Sequence, residues 1–272
     1  MERYQIILAY DGTDFQGYQR QGTSRTVQGE VEAALRRLGW QGRTIFAAGR
    51  TDTGVHASGQ VISFDLEWRH TPEDLGRALN ANLPKDVAVK TVRIAASDFH
   101  PRYWATSRRY QYRLYFAADR DPLFDRFTWR VWPPADLQLL QEAACMLPGI
   151  HDFAAFGTPP RPEGNTNREV YQADWAPQAR GLLFEVTANA YLYHMVRRMV
   201  FLQVQVGQNR LTLQDFANCV QRAQPQTPGL APPHGLVLTE VVYGIRQEYQ
   251  TQDDDESLAE CGEDDRGQDI RP

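Results

Sequence analysis

The chain has few cysteines, almost no lysine and no long hydrophobic run. Its three cysteines, Cys145, Cys219 and Cys261, are far apart and lack a Cys-x-x-Cys spacing. This argues against a disulfide framework or a zinc site, and it predicts a reducing, cytoplasmic location. No run of about 18 apolar residues is present, so we expect no membrane span. The start of the chain leads into a predicted strand and shows no signal-peptide pattern.

The charge of the chain is unevenly distributed. The net charge is −5, but residues 248–272 hold ten acidic residues and two arginines, a balance of −8, so residues 1–247 carry +3. We therefore expect a disordered acidic tail behind a mildly basic folded part. The basic residues are 27 arginines and two lysines. Arginine suits forked phosphate contacts and base stacking, although a GC-rich genome would produce the same bias.

Hydrophobic periodicity predicts the element order β-α-β-β-α-β twice along the chain. The predicted strands are 4–10, 44–48, 60–64, 87–92, 109–116, 170–175, 182–188 and 237–242. The predicted helices are 27–38, 72–80, 134–147, 191–207 and 213–222. This order favours an α+β fold of two ferredoxin-like (split βαβ) halves, with mainly antiparallel sheets joined around a central cleft. The expected boundaries are 1–104, 105–246 and a disordered acidic tail over 247–272.

One turn, Gly49-Arg50-Thr51-Asp52-Thr53-Gly54, is the strongest candidate for chemistry. It places the Asp52 carboxylate between two strand-like runs, which would hold it on a stiff scaffold and leave it accessible. We expect Gly49 and Gly54 to supply positive φ angles or room for a ligand, and Arg50 to keep the carboxylate ionised. Such a carboxylate is a candidate nucleophile, although aspartate in a glycine-flanked turn commonly only caps it.

Two further stretches carry residues that could join this turn. In Arg108-Arg109-Tyr110-Gln111-Tyr112 both tyrosines point the same way along a strand, where a ring lies against a base or only packs in the sheet. In Tyr191-Leu192-Tyr193-His194-Met195-Val196-Arg197, Arg197 interrupts an apolar helix. It needs a carboxylate partner such as Asp52, unless its aliphatic stem carries the charge to solvent. His194 could transfer protons, although a lone histidine is more often structural.

Taken together, these stretches resemble the TruA-type tRNA pseudouridine synthases over residues 3–246. The resemblance rests on motifs in a fixed order: Tyr10-Asp11-Gly12-Thr13, Gly17-Tyr18-Gln19-Arg20-Gln21, Gly49 to His56, Asn80-Ala81-Asn82-Leu83-Pro84, Phe99-His100-Pro101-Arg102, Arg108 to Tyr112, and Asn189 to Arg197. It implies isomerisation of uridine to pseudouridine at tRNA positions 38, 39 and 40, in the anticodon arm. It also implies a homodimer, with tRNA as partner, and neither a metal nor an organic cofactor.

The resemblance also assigns roles to individual residues. Asp52 matches the catalytic aspartate, Tyr110 the tyrosine that packs on the target base and accepts the C5 proton, and Arg197 the arginine that pairs with the aspartate. Arg50 matches an arginine that helps to flip and replace the base. The further candidate contacts to RNA are Arg20, His56, Arg108 and Arg109 in these motifs, and Leu236 in the glycine-bearing turn Pro233-His234-Gly235-Leu236 before the last predicted strand. The residues leave open whether Asp52 attacks C1′, attacks C6 or removes the C2′ proton.

Two other interpretations stay open from the sequence. The run from Ile6 to Thr13 is similar to the start of haloacid-dehalogenase-like phosphohydrolases. However, Ala9 stands where those enzymes need their nucleophilic aspartate, and no Gly-x-x-x-x-Gly-Lys phosphate loop is present. The second alternative is a non-catalytic RNA-binding or RNA-folding protein on the same scaffold, for which Asp52 would be dispensable.

Overall fold

The computed structural model describes residues 1–159, 161, 163–223 and 228–244. Its strands are β1 (Glu2–Tyr10), β2 (Phe46–Ala47), β3 (His56–Leu66), β4 (Val87–Ala95), β5 (Ala105–Phe116), β6 (Trp129–Val131), β7 (Gly149–Asp152), β8 (Asn167–Gln178), β9 (Gly181–Ala188) and β10 (Leu236–Tyr243). Its helices are α1 (Val27–Arg37), α2 (Pro72–Asn82), α3 (Leu137–Ala144), α4 (Met195–Gly207) and α5 (Leu213–Arg222). No helix in the described ranges is long and apolar enough to cross a membrane.

The strands of both predicted halves join in one ten-stranded sheet, which confirms the mixed α+β class with mainly antiparallel pairing. The order is β4-β1-β3-β10-β5-β9-β8-β7, with β2 added on β3 and β6 on β5. The last strand, β10, lies between the halves, parallel to β3 and antiparallel to β5. It places Leu238 beside both Ala57 and Tyr110, so the start of β3 and the middle of β5 lie close together.

Local sequence signals set the helix starts. Thr26 caps α1 by accepting a hydrogen bond from the backbone N–H of Gly29. Thr71 and Thr212 cap α2 and α5, and each forms a reciprocal capping box with an aspartate three residues later. Capping boxes satisfy N–H groups that have no partner within the helix. The predicted starts of these three helices are therefore confirmed.

Two predicted helices begin later than their hydrophobic pattern indicates. The helix predicted over 134–147 is only α3, because the Asp136 side chain accepts hydrogen bonds from the N–H groups of Gln138 and Leu139 and starts the helix there. The helix predicted over 191–207 begins at Met195, because the backbone of Tyr193 is instead paired with that of Thr158 in a short β-bridge. The short strands β6 and β7 had no distinct hydrophobic pattern and were missed. The proposed domain boundary at 104/105 stays a prediction, and the tail over 247–272 lies outside the described residues.

Candidate active site

The turn that carries Asp52 is fixed by backbone contacts on both sides. The N–H of Tyr18 donates to the Thr51 carbonyl at 3.0 Å, and the N–H of Val55 donates to the Asp52 carbonyl at 3.1 Å. Gly54 has φ +77°, as expected, whereas Gly49 has no positive φ and open space around it. Gly54 therefore supplies the expected positive φ, whereas Gly49 supplies only the expected room for a ligand.

A third glycine, Gly12, permits the closest backbone approach at this turn. A Cβ atom on Gly12 would lie 2.0 Å from the carbonyl oxygen of Val55, whereas a Cβ on Gly49 would meet nothing within 4 Å. We expect Gly12→Ala to lower the free energy of unfolding by about 3 kcal/mol through overpacking, and Gly49→Ala to change it by less than about 0.5 kcal/mol. Urea denaturation of both variants measures the difference. Equal stability losses would contradict this explanation.

The Asp52 carboxylate is paired with Arg197, as the sequence suggested. Arg197 Nη1 donates to Asp52 Oδ2 at 3.0 Å, and Arg197 Nε donates to the carbonyl of Ala231 at 2.8 Å. The Arg197 and Asp52 side chains are 14% and 18% exposed. The paired arginine lies in the first turn of α4, so the cation beside Asp52 comes from the second half of the chain. Among the described residues, the arginine paired with Asp52 is Arg197 and not Arg50, which corrects that expectation.

His194 lies on the same carboxylate oxygen. Its Nε2 is 3.5 Å from Asp52 Oδ2, and its backbone has φ +68° at the residue that precedes α4. Burial lowers the pKa of His194. The negative charge of Asp52 opposes this pKa shift, and the positive charge of Arg197 reinforces it. A lowered pKa leaves the imidazole neutral at pH 7, where its N–H can donate towards Asp52.

Tyr110 lies in the middle of β5, close to the carboxylate. Its ring packs edge-on against Tyr191 with the centroids 5.0 Å apart, and the Tyr191 hydroxyl donates to the carbonyl of Val186 at 3.0 Å. Burial raises the pKa of Tyr110, and the charges of Tyr10 and Asp52 raise it further. The phenol is therefore protonated at neutral pH. Its ring is held by Tyr191 and lies within electrostatic range of the Asp52 carboxylate.

Arg108 holds backbone segments around the site together, and its role as an RNA contact stays a prediction. Its guanidinium donates to four backbone carbonyls, those of Ala48, Arg102, Ala105 and Asn189, at 2.7–3.2 Å. Burial is the main cause that lowers the pKa of Arg108. Because its donors are committed to the segments around the site, Arg108 positions those segments and has little capacity left for RNA.

Arg109 points away from the site. Side chains alternate along a strand, so Arg109 lies on the face of the sheet opposite to Tyr110. There its guanidinium is 3.2 Å from a carboxylate oxygen of Glu240 and 3.7 Å from one of Glu185. Arg109 as a contact to RNA stays a prediction, and its described partners are the two carboxylates on this face.

The remaining predicted contacts also have structural partners. His56 is 3% exposed; its Nδ1 accepts from the N–H of Gly12 at 2.9 Å and its Nε2 contacts the His234 carbonyl at 3.2 Å. Arg20 forms an ion pair at 2.6 Å with the fully buried Glu32. Leu236 is 5% exposed and pairs with Tyr112 between β10 and β5. His56, Arg20 and Leu236 therefore have structural partners in the scaffold, and their roles as RNA contacts stay predictions.

Three arginines, Arg50 in the Asp52 turn, Arg102 and Arg168, form what we call the cationic surface. Partial burial lowers the pKa of Arg50 and of Arg168, and the positive charge of Arg102 lowers both further, so each lies within electrostatic range of Arg102. Tyr103 is 71% exposed at this surface and packs on His100 with ring centroids 4.3 Å apart. His100 and Arg102 belong to the motif Phe99-His100-Pro101-Arg102, whose pattern alone predicts no role for them.

Comparison with known proteins identifies the family. The family described as "tRNA pseudouridine synthase" matches residues 6–104 and 143–244. Tyr110 lies between the matched segments, whereas Asp52, His194 and Arg197 lie within them. Over 247 residues the chain is 39% identical to tRNA pseudouridine synthase A of Lactiplantibacillus plantarum, which covers 89% of this chain and 94% of that protein.

Two other relatives of the same name have similar coverage. The chain is 41% identical over 241 residues to the protein from Moorella thermoacetica, covering 88% of this chain and 98% of the relative. It is 40% identical over 249 residues to the protein from Chloroflexus aurantiacus, covering 89% of each. The chain therefore belongs to the tRNA pseudouridine synthase family, of the TruA type.

Proposed function

We propose that this protein isomerises uridine to pseudouridine at positions 38, 39 and 40 of the anticodon arm of tRNA, with Asp52 as the catalytic nucleophile. Membership of the family identifies the chain as an isomerase. The observation that supports the site is the convergence of Asp52, Tyr110 and Arg197 from three separate segments, with the carboxylate held by the arginine.

The reaction rearranges one nucleotide without adding or removing atoms. The bond from N1 to C1′ breaks, a bond from C5 to C1′ forms, and the proton on C5 moves to solvent while N1 gains one. Attack on C1′, attack on C6 and removal of the C2′ proton all require an ionised carboxylate beside the sugar and base. Arg197 donates a charge-assisted hydrogen bond to Asp52, which stabilises a negative charge on that carboxylate.

The target uridine must leave its stack before it reaches Asp52. Flipping a base costs a few kcal/mol, which contacts to the opened site must offset. In our proposal Tyr110 receives the face of the flipped base, and Arg50, on the cationic surface beside Asp52, holds the opened helix. Contacts of Arg50, Arg102 and Arg168 to phosphates would recognise the arm by shape and charge rather than by sequence. Such recognition suits an enzyme that acts at three neighbouring positions.

The C5 proton is the last to leave, and Tyr110 is our proposed acceptor. Because its phenol is protonated at neutral pH, it can accept that proton only while it passes its own to water or to the product. We expect Tyr110→Phe to bind tRNA within about threefold of wild type, because the ring that contacts the base is kept. We expect turnover to fall by about 10²-fold, the usual effect of losing a general base.

Two measurements test Tyr110→Phe. Release of tritium from C5-labelled uridine reports the final proton loss, and fluorescence anisotropy with labelled tRNA reports binding. Tyr112→Phe is the matched control, because the Tyr112 hydroxyl donates to the Pro232 carbonyl at 2.7 Å. Loss of this hydroxyl should mainly lower the free energy of unfolding and have a smaller effect on tritium release. Full turnover by Tyr110→Phe would remove Tyr110 as the proton acceptor.

The proposal extends to the assembly and location of the protein. We propose a homodimer in the cytoplasm, in which each tRNA contacts both subunits and residues 1–104 and 105–246 form the two halves of each subunit. These statements rest on the resemblance of the motifs to the family. Sedimentation with and without tRNA tests the dimer directly.

One experiment with defined RNA distinguishes an isomerase from a non-catalytic RNA-binding protein. Transcripts of one tRNA are prepared with labelled uridine at positions 38–40 or with cytidine at those positions and labelled uridine elsewhere. We expect the purified protein to release tritium only from the first transcript. A non-catalytic RNA-binding protein would bind both and release tritium from neither, and release from the second transcript alone would refute the proposed positions.

A further inference from the structure

Two aromatic rings before α4 form a stacked pair that the reaction described above does not use. The rings of Tyr193 and His194 are stacked with centroids 3.6 Å apart and planes inclined by 29°. Tyr193 is 58% exposed, one of the more exposed large side chains in the described residues. His194, on the other side of the stack, is the residue whose Nε2 lies 3.5 Å from Asp52.

The backbone of this pair is fixed without help from the Tyr193 ring. The N–H of Tyr193 donates to the carbonyl of Thr158 at 3.0 Å, and the N–H of Thr158 donates back at 3.3 Å. A Cβ on Gly157 would lie 2.5 Å from the Tyr193 carbonyl oxygen, so glycine is needed at that position for the bridge. The neighbouring Leu192 is buried and anchors the segment. An exposed ring on an independently fixed backbone is not required for folding.

His194 is held in an unfavourable backbone conformation. Its φ of +68° lies in the left-handed region, which side chains with a Cβ rarely adopt. Such residues persist where the surrounding structure forces them, and they cluster at functional sites. Here the conformation brings one ring both onto Tyr193 and against Asp52, a placement that the regular helix starting at Met195 would not give.

We propose that Tyr193 and His194 form a stacking platform for a nucleobase that flanks the target uridine. This inference rests on the proposed function and assigns an additional RNA contact to the same site. The target base is assigned to the buried Tyr110, whereas Tyr193 is exposed and stacks on the His194 ring, whose Nε2 is the atom near Asp52. A base stacked on the open face of Tyr193 therefore belongs to another nucleotide. Every base has a flat π-face, so the platform accepts different neighbours of the target.

Leucine and phenylalanine variants at position 193 test the platform through steady-state kinetics. We expect Tyr193→Leu to raise KM for the anticodon stem–loop about tenfold with little change in kcat, because stacking stabilises the bound substrate and the transition state equally. We expect Tyr193→Phe to keep KM near the wild-type value, because it keeps the ring. Tyr171→Leu, at another exposed tyrosine on β8, is the matched control and should leave KM unchanged.

A fluorescent base gives a direct readout of stacking. Stem–loops with 2-aminopurine next to the target uridine are bound to wild type, Tyr193→Leu and Tyr193→Phe. We expect quenching by wild type and by the phenylalanine variant, and its loss with leucine. Wild-type KM and full quenching in Tyr193→Leu would overturn the platform. If wild type forms no pseudouridine in the anticodon arm, the proposed function fails instead, so the two failures are distinguishable.

His194→Gly separates a functional ring from a structural one. Glycine adopts positive φ without strain, so this change should leave the melting temperature equal or higher. We still expect kcat/KM to fall about tenfold, because the His194 ring that stacks on Tyr193 and contacts Asp52 is removed. A lower melting temperature with wild-type kcat/KM would show a structural role and overturn the proposal.

Discussion

Asp52→Asn is expected to abolish pseudouridine formation, with kcat lower by about 10³-fold or more, while the affinity for tRNA changes only a few fold. The amide has nearly the volume of the carboxylate, but it is neutral and a poor nucleophile and base. Affinity is retained because most contacts to RNA are made by basic and aromatic groups outside this turn. Tritium release from C5-labelled tRNA measures turnover, and fluorescence anisotropy measures affinity.

Asp14→Asn is the matched control, since the Asp14 side chain is 69% exposed and its ion-pair partner is Arg126, at 3.9 Å. It removes the same charge from the same half of the chain and should leave turnover unchanged. Wild-type turnover by Asp52→Asn, or equal losses in the two variants, would refute the assignment of Asp52.

Arg197→Met is expected to lower kcat/KM by about 10²-fold and the free energy of unfolding by about 2 kcal/mol. Methionine keeps much of the aliphatic volume in α4, but Asp52 then loses its charged partner and the Ala231 carbonyl loses its donor. The stability effect is set below the value for a fully buried pair because both side chains retain some exposure to water. Kinetics and urea denaturation measure the two effects separately.

The adjacent arginine provides the control. Arg198 Nη1 donates to the carbonyl of Gly229 at 2.6 Å, so Arg198→Met also frees a carbonyl in the same segment. We expect it to reduce stability but to leave kcat/KM within a few fold of wild type. In the double variant of Asp52→Asn and Arg197→Met, activity should be no lower than in Asp52→Asn alone, because both act through one carboxylate. Additive losses, or equal kcat/KM in the two arginine variants, would contradict a role of Arg197 through Asp52.

The Asp52–Arg197 contact was predictable because the cost of an unpaired charge restricts its choices. An arginine within an apolar helix needs a carboxylate or an exit to solvent, and a carboxylate in a rigid turn was available. The pattern also gave the strand that carries Tyr110, since alternation along β5 places Tyr110 and Tyr112 on one face. The strand alone did not indicate which of its two faces the helices would cover.

The arginine roles were less predictable, because residue type does not reveal the partner. Arg108 and Arg109 are neighbours in sequence, yet one clamps backbone carbonyls around the site and the other pairs with Glu240 on the opposite face. The predicted start of α4, at residue 191, was wrong for a related reason. The pairing of Tyr193 with Thr158 joins segments 35 residues apart in the chain, so no local pattern signals it.

The role of Asp52 in pseudouridine formation is tested most directly by mapping pseudouridine at single-nucleotide resolution in tRNA from cells that lack this protein. The cells are complemented with wild type or with Asp52→Asn at equal expression. We predict that pseudouridine at positions 38, 39 and 40 disappears without the protein, returns with wild type and stays absent with Asp52→Asn. Restoration by Asp52→Asn, or loss of pseudouridine only at other positions, would contradict the proposed site and substrate.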